Sequence, residues 1–197
     1  SLIEKRLFST TQAALISIDI DDFNYVNEKY SSSTGDDILK TAAASLTEST
    51  AGQFGDQVIL ARIGENKFTA FIDDLSGKAA LAFADQFREA FYHLPKKHVT
   101  TALSLSAGIV AFPDHGKTID ALLNALDDSL FLAKRSGKNR CQLYDGMDKN
   151  ISDRSIKVGQ RERILKALDE DRFVPWYQPI LNMNDRHVHH FEVLTRL

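Results

Sequence analysis

The sequence is poor in the features that mark several protein classes. Its one cysteine, Cys141, cannot close an internal disulfide and gives no metal cluster. No apolar run approaches the ~18–20 residues that a bilayer-spanning helix needs, and no signal-peptide pattern opens the chain. A strong excess of charge is missing too. The 24 basic and 27 acidic residues leave a net charge of −3, which argues against nucleic acid as a general partner. A cytoplasmic setting with no membrane segment in this chain is the expectation, and an anchor elsewhere in a parent protein is compatible with it. The chain opens on Ser1 rather than methionine, as a piece of a longer protein would. What is present is ordinary globular composition, 43% hydrophobic and 26% charged over 197 residues. That length holds one domain with a sizeable core, plus an extension.

Residues 13–20 (Ala-Ala-Leu-Ile-Ser-Ile-Asp-Ile) form a short apolar run that turns acidic at its end, the pattern of a buried strand with carboxylates at its C-terminal edge. Residues 22–30 predict a short helix, 31–35 a polar break, and Asp36 or Asp37 the start of a longer helix through Ile38, Leu39, Ala42 and Leu46. Residues 58–63 and 67–72 predict a hairpin around a tight turn at 64–66. An amphipathic helix over 77–94, a strand over 103–112, a helix over 119–135 capped by Gly137, and a short strand over 141–144 follow. The fold class is therefore α/β (α+β), a mixed sheet flanked by helices, close to a ferredoxin-like βαββαβ plan with an inserted helix. Residues 152–168 predict a charged connecting helix, and 173–181 and 188–197 two further strands. The domain boundaries expected are 1–145, 146–170 for the linker helix, and 171–197.

Ordered motifs sharpen this plan. Asp19-Ile-Asp-Asp-Phe-Asn-Tyr-Val-Asn27, then Gly35-Asp36-Asp37, resembles a D-x-D-x-F-K-x-x-N … G-D segment of the GGDEF family of diguanylate cyclases. Ser106-Ala-Gly-Ile109 and Leu126 to Lys134, followed by Gly137-Lys138-Asn139, are similar to that family's later blocks, in its order. The signature hairpin itself corresponds to Gly64, Glu65, Asn66, Lys67 and Phe68, where only the first glycine and the phenylalanine match. The resemblance implies a nucleotidyl-cyclase-like fold, a homodimer and a site for GTP or GDP. It assigns Asp19 as a vestigial metal ligand, Asn27 and Asp36 as guanine partners, and Lys134 and Lys138 as phosphate partners, with lysine at 138 where arginine is usual. An amide and a carboxylate suit guanine's donors and acceptors, and lysine suits phosphate without the bidentate fork. Taken one at a time these residues have simpler readings. Asp19 could make local backbone bonds, Asn27 could sit on a helix face, Asp36 could cap a helix, and the lysines could favour a helix C-terminus.

The same resemblance implies that the cyclase reaction fails here, leaving no intact catalytic residue. Magnesium wants anionic oxygen ligands, and Asn66 is neutral where the signature has a carboxylate. Lys67 replaces a second one, and an ammonium about 4 Å from a divalent ion is repelled by roughly 8 kcal/mol at an effective dielectric near 20. Glu65 adds bulk and charge where a second glycine would admit phosphate. Magnesium binding is expected to be weak or absent. One alternative has Lys67 standing in for the metal and holding phosphate directly. Another keeps weak cyclase activity, making cyclic di-GMP from two GTP through Asp19 and the lysines. Gln53-Phe-Gly-Asp56 lacks the arginine of the family's product-inhibition motif, so feedback binding is not expected there.

Phe173-Val-Pro-Trp-Tyr-Gln-Pro-Ile180, then Phe191-Glu-Val-Leu-Thr-Arg196, resembles the start of an EAL cyclic di-GMP phosphodiesterase domain. The resemblance makes Glu192 a metal ligand of an incomplete site, and Gln178 and Arg196 cyclic di-GMP partners. A (β/α)₈ barrel needs about 200 residues or more, so no hydrolase is expected in this chain, and the EAL domain becomes the first domain's partner. His187, His189 and His190 read as a polar strand end rather than a metal site.

Overall fold

The computed structural model describes residues 6–7, 9–94, 99, 103–146, 170, 174–182 and 185–196. The chain divides into two compact units, Ser1–Met147 and Asp148–Leu197. The connecting helix expected over 152–168 lies outside the described residues.

The first unit runs β1 (Ala13–Ile20), α1 (Phe23–Lys29), α2 (Ser32–Phe54), a 3₁₀ turn (Gly55–Gln57), β2 (Val58–Arg62), β3 (Lys67–Asp73), α3 (Gly77–His93), β4 (Leu105–Phe112), α4 (Ile119–Arg135) and β5 (Cys141–Leu143). The sheet order is β2-β3-β1-β4-β5, antiparallel except for the β4–β5 pair. This is the mixed, helix-flanked sheet that the sequence pattern predicts.

All eight residues of β1 are buried, because the strand is central and covered on both faces. Strand alternation then splits its side chains between two cores. Ala14, Ile16, Ile18 and Ile20 join the larger one, with Ile38, Leu39 and Leu46 of α2 and Phe83, Phe87 and Phe91 of α3. Ala13 and Leu15 join the smaller one, with Phe71, Val110 and Leu122, Ala125 and Leu126 of α4. Odd-numbered β1 residues thus face α4. Ser17 and Asp19 continue that face toward the strand's C-terminal end.

α2, α3 and α4 are capped by hydroxyls: Ser31 accepts from the Thr34 N–H, Ser76 from Ala79 and Thr118 from Ala121. Each such cap is worth about 1 kcal/mol. The first corrects the expected start of the long helix. It begins at Ser32, with Ser31 rather than Asp36 as the cap, so Gly35 lies inside the helix. A Cβ at Gly35 would sit 2.0 Å from Asn27 Oδ1 and 3.0 Å from the Phe23 ring. The glycine is therefore a seat for α1 side chains, not a break.

The β4–α4 connection holds a titratable contact. The Ala111 N–H donates to His115 Nδ1 at 3.0 Å, and the ring meets Tyr144 edge-on at 5.5 Å. Partial burial lowers the His115 pKa below the usual 6.5. The unfolded chain therefore takes up this proton first, and stability that is complete above pH 6.5 is lost as pH falls from there. Urea melts should lose midpoint below that pH more steeply in the wild type than in His115→Gln. Equal acid slopes in the two proteins would refute the assignment.

The second unit contains a hairpin of β6 (Val174–Leu181) and β7 (Val188–Arg196), with a bulge at Ile180/Leu181. Both strands fall where the sequence predicts them. Trp176, Tyr177, Phe191 and Val193 are all more than half exposed on it.

Candidate functional site

The strand-end position of Asp19 sets the site. Cross-strand pairing puts Asp19 opposite Lys67 on β3 and opposite Ser106 on β4. Paired residues share a sheet face, so Asp19 and Lys67 both project toward α4. On that helix Asp127 and Lys134 are seven residues apart, two turns along one side. Lys67 meets Asp127 at 2.8 Å, and Lys134 meets Asp19 Oδ2 at 2.7 Å. Charge alternation across the β3–β1 edge and along α4 thus locks the helix to the sheet.

The turn between β2 and β3 supplies the third partner of Asp19. Gly64 takes φ +94°, a conformation that favours glycine. Arg62 donates to the Glu65 carbonyl at 2.7 Å, and the Ile63 N–H to the Lys67 carbonyl at 2.8 Å. The turn so fixed aims Asn66 back at β1. Its Nδ2 group donates to Asp19 Oδ1 at 2.8 Å and to the Ile20 carbonyl at 2.9 Å. Both carboxylate oxygens of Asp19, a residue only 8% exposed, are therefore occupied by protein groups.

Two residues further on, Asp21 is 4% exposed and accepts three hydrogen bonds. They come from Ser104 Oγ at 2.7 Å, Ser106 Oγ at 2.8 Å and the Asn139 N–H at 3.1 Å. This ties β1 to β4 and to the loop after α4. In that loop Gly137, Lys138 and Asn139 all have positive φ. Lys138 pairs with Asp22, whose carboxylate holds the ammonium above the ordinary lysine range.

Several of these residues border an open cleft of about 400 Å³. Its lining includes Asp19, Asp21, Asp22 and Glu65 as acids, and Lys134 and Lys138 as bases, four charges against two. Asn66 lines it as well, but Lys67 does not. Rather than taking a metal's place, the Lys67 ammonium meets Asp127 at 2.8 Å. Asn27 and Asp36 are also outside the lining. Asn27 Oδ1 is buried against Gly35 without a hydrogen-bond partner, and Asp36 is exposed on α2. The geometry thus gathers Asp19, Lys134 and Lys138, and leaves the two expected base-reading residues apart from them.

Asp21, Ser106, Asp127 and Asn139, which the sequence motifs contain without a role assigned to them, complete the site together with Ser104, which no motif includes. Ser104 and Ser106 alternate with Leu103, Leu105 and Ala107, and that polar stripe in an apolar strand was the available signal. Asp127 had none, since its partner is 60 residues away.

The donor set does not fit magnesium. One carboxylate, already paired with an ammonium, and one backbone carbonyl converge on an amide nitrogen, at hydrogen-bond rather than metal–oxygen distances (about 2.0–2.1 Å for magnesium). Among the described residues no group of three or more His, Cys, Asp or Glu side chains could hold a metal ion.

In the second unit Gln178 and Glu192 stand directly opposite each other in the hairpin register, and Arg196 opposite Val174. His189 pairs with the Asp185 carboxylate, which the His187 N–H, first, and His189 hold below its usual range. No helix among the described residues is long and apolar enough to cross a membrane.

The sequence and the fold have relatives among known proteins. The biofilm architecture maintenance protein MbaA of Vibrio cholerae is 26% identical over 99% of this chain and 25% of its own length. The cyclic di-GMP phosphodiesterase NbdA of Pseudomonas aeruginosa is 25% identical over 93% of this chain and 23% of its own length. The chain thus spans about a quarter of these curated relatives. The solved active GGEEF domain of a Vibrio cholerae diguanylate cyclase superposes with a TM-score of 0.64 at 25% identity, over 73% of this chain and 89% of that domain. A family model described as diguanylate cyclase, GGDEF domain, matches residues 2–140, and the chain accordingly belongs to the GGDEF family.

Proposed function

We propose that this chain is a catalytically silent GGDEF domain serving as a regulatory and dimerising module in cyclic di-GMP signalling. The observation that carries the reading is the state of Asp19, with Asn66 on one oxygen and Lys134 on the other. Transfer of a nucleotidyl group between two GTP molecules rests on positioning and on cations that neutralise developing charge. Here the carboxylate that would hold such a cation is engaged, and the signature's own carboxylates are replaced by Asn66 and Lys67. A triphosphate entering the cleft would have to break the Lys134–Asp19 and Lys138–Asp22 pairs to reach either ammonium. It would also face a net excess of two negative charges, four acids against two bases. We therefore propose at most weak binding of GTP or GDP, with the nucleotide reaching Lys134 and Lys138 only by exchange of partners.

The hairpin of the second unit we read as the opening of an EAL domain that follows the GGDEF domain in the parent protein. Two supports stand behind this. The likeness to NbdA and MbaA runs through nearly the whole chain, beyond the family match at residue 140. And a two-stranded hairpin that exposes Trp176, Tyr177 and Phe191 is unstable alone, so further elements must cover it. In this reading Glu192, Gln178 and Arg196 are the first parts of a site completed by those elements.

The test is direct. Incubated with GTP and magnesium, the chain should release no cyclic di-GMP above the protein-free background by liquid chromatography. Product that scales with protein concentration would replace this reading with that of a weak cyclase.

A further inference from the structure

The Asn66 side chain occupies an unusual place. One nitrogen directs both of its hydrogens at the Asp19 carboxylate and the Ile20 carbonyl, 2.8 and 2.9 Å away. A carboxylate oxygen and a carbonyl oxygen converging on one point describe half of a hard-cation site, in which anionic and neutral oxygens share the ion's shell. The point is filled by a neutral amide with positively polarised hydrogens. The second carboxylate oxygen carries the full positive charge of Lys134 at 2.7 Å. Together the two groups take an ion's place toward these oxygens, with two hydrogen-bond donors in fixed directions and one unit of positive charge, enough to compensate Asp19 but half that of a divalent ion. The amide is also held from behind, since the Asn66 carbonyl accepts the Ile20 N–H at 3.2 Å and so extends the β1–β3 ladder.

We propose that the Asn66 amide and the Lys134 ammonium form an internal replacement for a divalent cation, and that residue 66 alone decides whether this end of the cleft takes a metal ion. The amide satisfies Asp19 and Ile20 at hydrogen-bond length, whereas magnesium would require each oxygen to approach to about 2.1 Å. An anionic oxygen at position 66 reverses the balance. Asp19 and an aspartate at 66 repel each other in the metal-free protein and converge on a cation with the Ile20 carbonyl. The inference deepens the reading of a silent cyclase site and rests on it, but the two fail separately. Metal binding by the wild type without product formation would remove this inference and leave the silent reading in place.

Manganese is the probe, on the full chain. In the wild type the Asn66 side-chain amide protons should exchange slowly with solvent, and millimolar Mn²⁺ should cause no selective broadening of that amide. Asn66→Asp should bind Mn²⁺ saturably in calorimetry, at least about tenfold more tightly than the wild type, as added ligand charge raises affinity. Asp19→Asn in that background should abolish the gain. Manganese should also raise the melting temperature of Asn66→Asp and leave that of the wild type unchanged. Selective broadening of the wild-type Asn66 amide at low Mn²⁺, or a folded Asn66→Asp with no gain in binding, overturns the proposal. If Asn66→Asp does not fold at any manganese level, the wild-type spectrum decides alone.

Discussion

Gly108→Ala is expected to lower folding stability by about 3 kcal/mol, at the upper end of the cost of overpacking. A Cβ at this position would lie 2.4 Å from the Leu130 backbone N, 2.5 Å from Ser129 Oγ and 2.8 Å from the Leu126 carbonyl. Two of these atoms are helix backbone, so no side-chain rotation relieves the contact, and α4 must move off the sheet. Gly108 stands opposite Ser17 on β1, and Ser129 and Ala133 line the facing side of α4, all fully buried. This stripe of small residues lets the helix approach closely enough for Lys134 and Asp127 to reach Asp19 and Lys67. Displacing α4 therefore opens the smaller core and both ion pairs together. Urea denaturation reads the result. A typical domain has only 5–15 kcal/mol in all, so the midpoint should fall by a large fraction. An unchanged midpoint would mean that α4 does not sit as close to β4 as the structure places it.

How much of this was legible in the sequence depends on the range of the interaction concerned. The bounds of β1 and α4 follow from a short apolar run that turns acidic at its end and from a helical stretch stopped by Gly137, and both match the sequence expectation residue for residue. The start of α2 was misplaced because Gly35 and its serine neighbours read locally as a break. What makes a helical glycine favourable there is Asn27, on another helix. The cleft's composition was partly legible as well. Asp19, Lys134 and Lys138, singled out by the motifs, line one cleft, with Lys134 on Asp19 and Lys138 on Asp22. Their partners were not foreseen, since a strand-end carboxylate says nothing about which of several nearby donors will claim it. Register settles that question: Asp19 and Lys67 share the α4 face, and the turn conformation at Gly64 returns Asn66 to β1. The fate of Lys67 was likewise invisible, because its partner Asp127 lies on an element that only the folded sheet brings near.

Asp21 gives the second large effect, and the contrast between two substitutions at it separates hydrogen bonding from charge. Asp21→Ala removes the acceptor for Ser104, Ser106 and the Asn139 N–H at a nearly buried point. The two hydroxyls can turn elsewhere, but the backbone N–H cannot. It belongs to a loop in which Lys138 and Asn139 have φ of +60° and +47°, a region disfavoured for side-chain-bearing residues. Without the carboxylate, the turn keeps the Arg88 bond to Asn139 Oδ1 at 3.0 Å, the Lys138 N–H bond to the Ala133 carbonyl at 3.2 Å and the Arg140 Nε bond to the Lys138 carbonyl at 3.3 Å, but the Asn139 N–H loses its acceptor. Losing bonds to a charged acceptor, at roughly 1.5–3 kcal/mol each, puts the expected loss at about 3 kcal/mol or more. Asp21→Asn should behave differently. Its amide oxygen can still accept from Ser104 and Asn139, and its NH₂ can donate to Ser106 Oγ, because a hydroxyl exchanges donor for acceptor freely. The expected cost is about 1 kcal/mol, that of weakening charge-assisted bonds to neutral ones. Chemical denaturation of both variants checks the ordering. The amide resonance of Asn139 should lose its protection from exchange in Asp21→Ala and keep it in Asp21→Asn. Equal losses in the two variants would mean that the negative charge of Asp21, and not its geometry as an acceptor, holds the loop that carries Lys138 to the cleft.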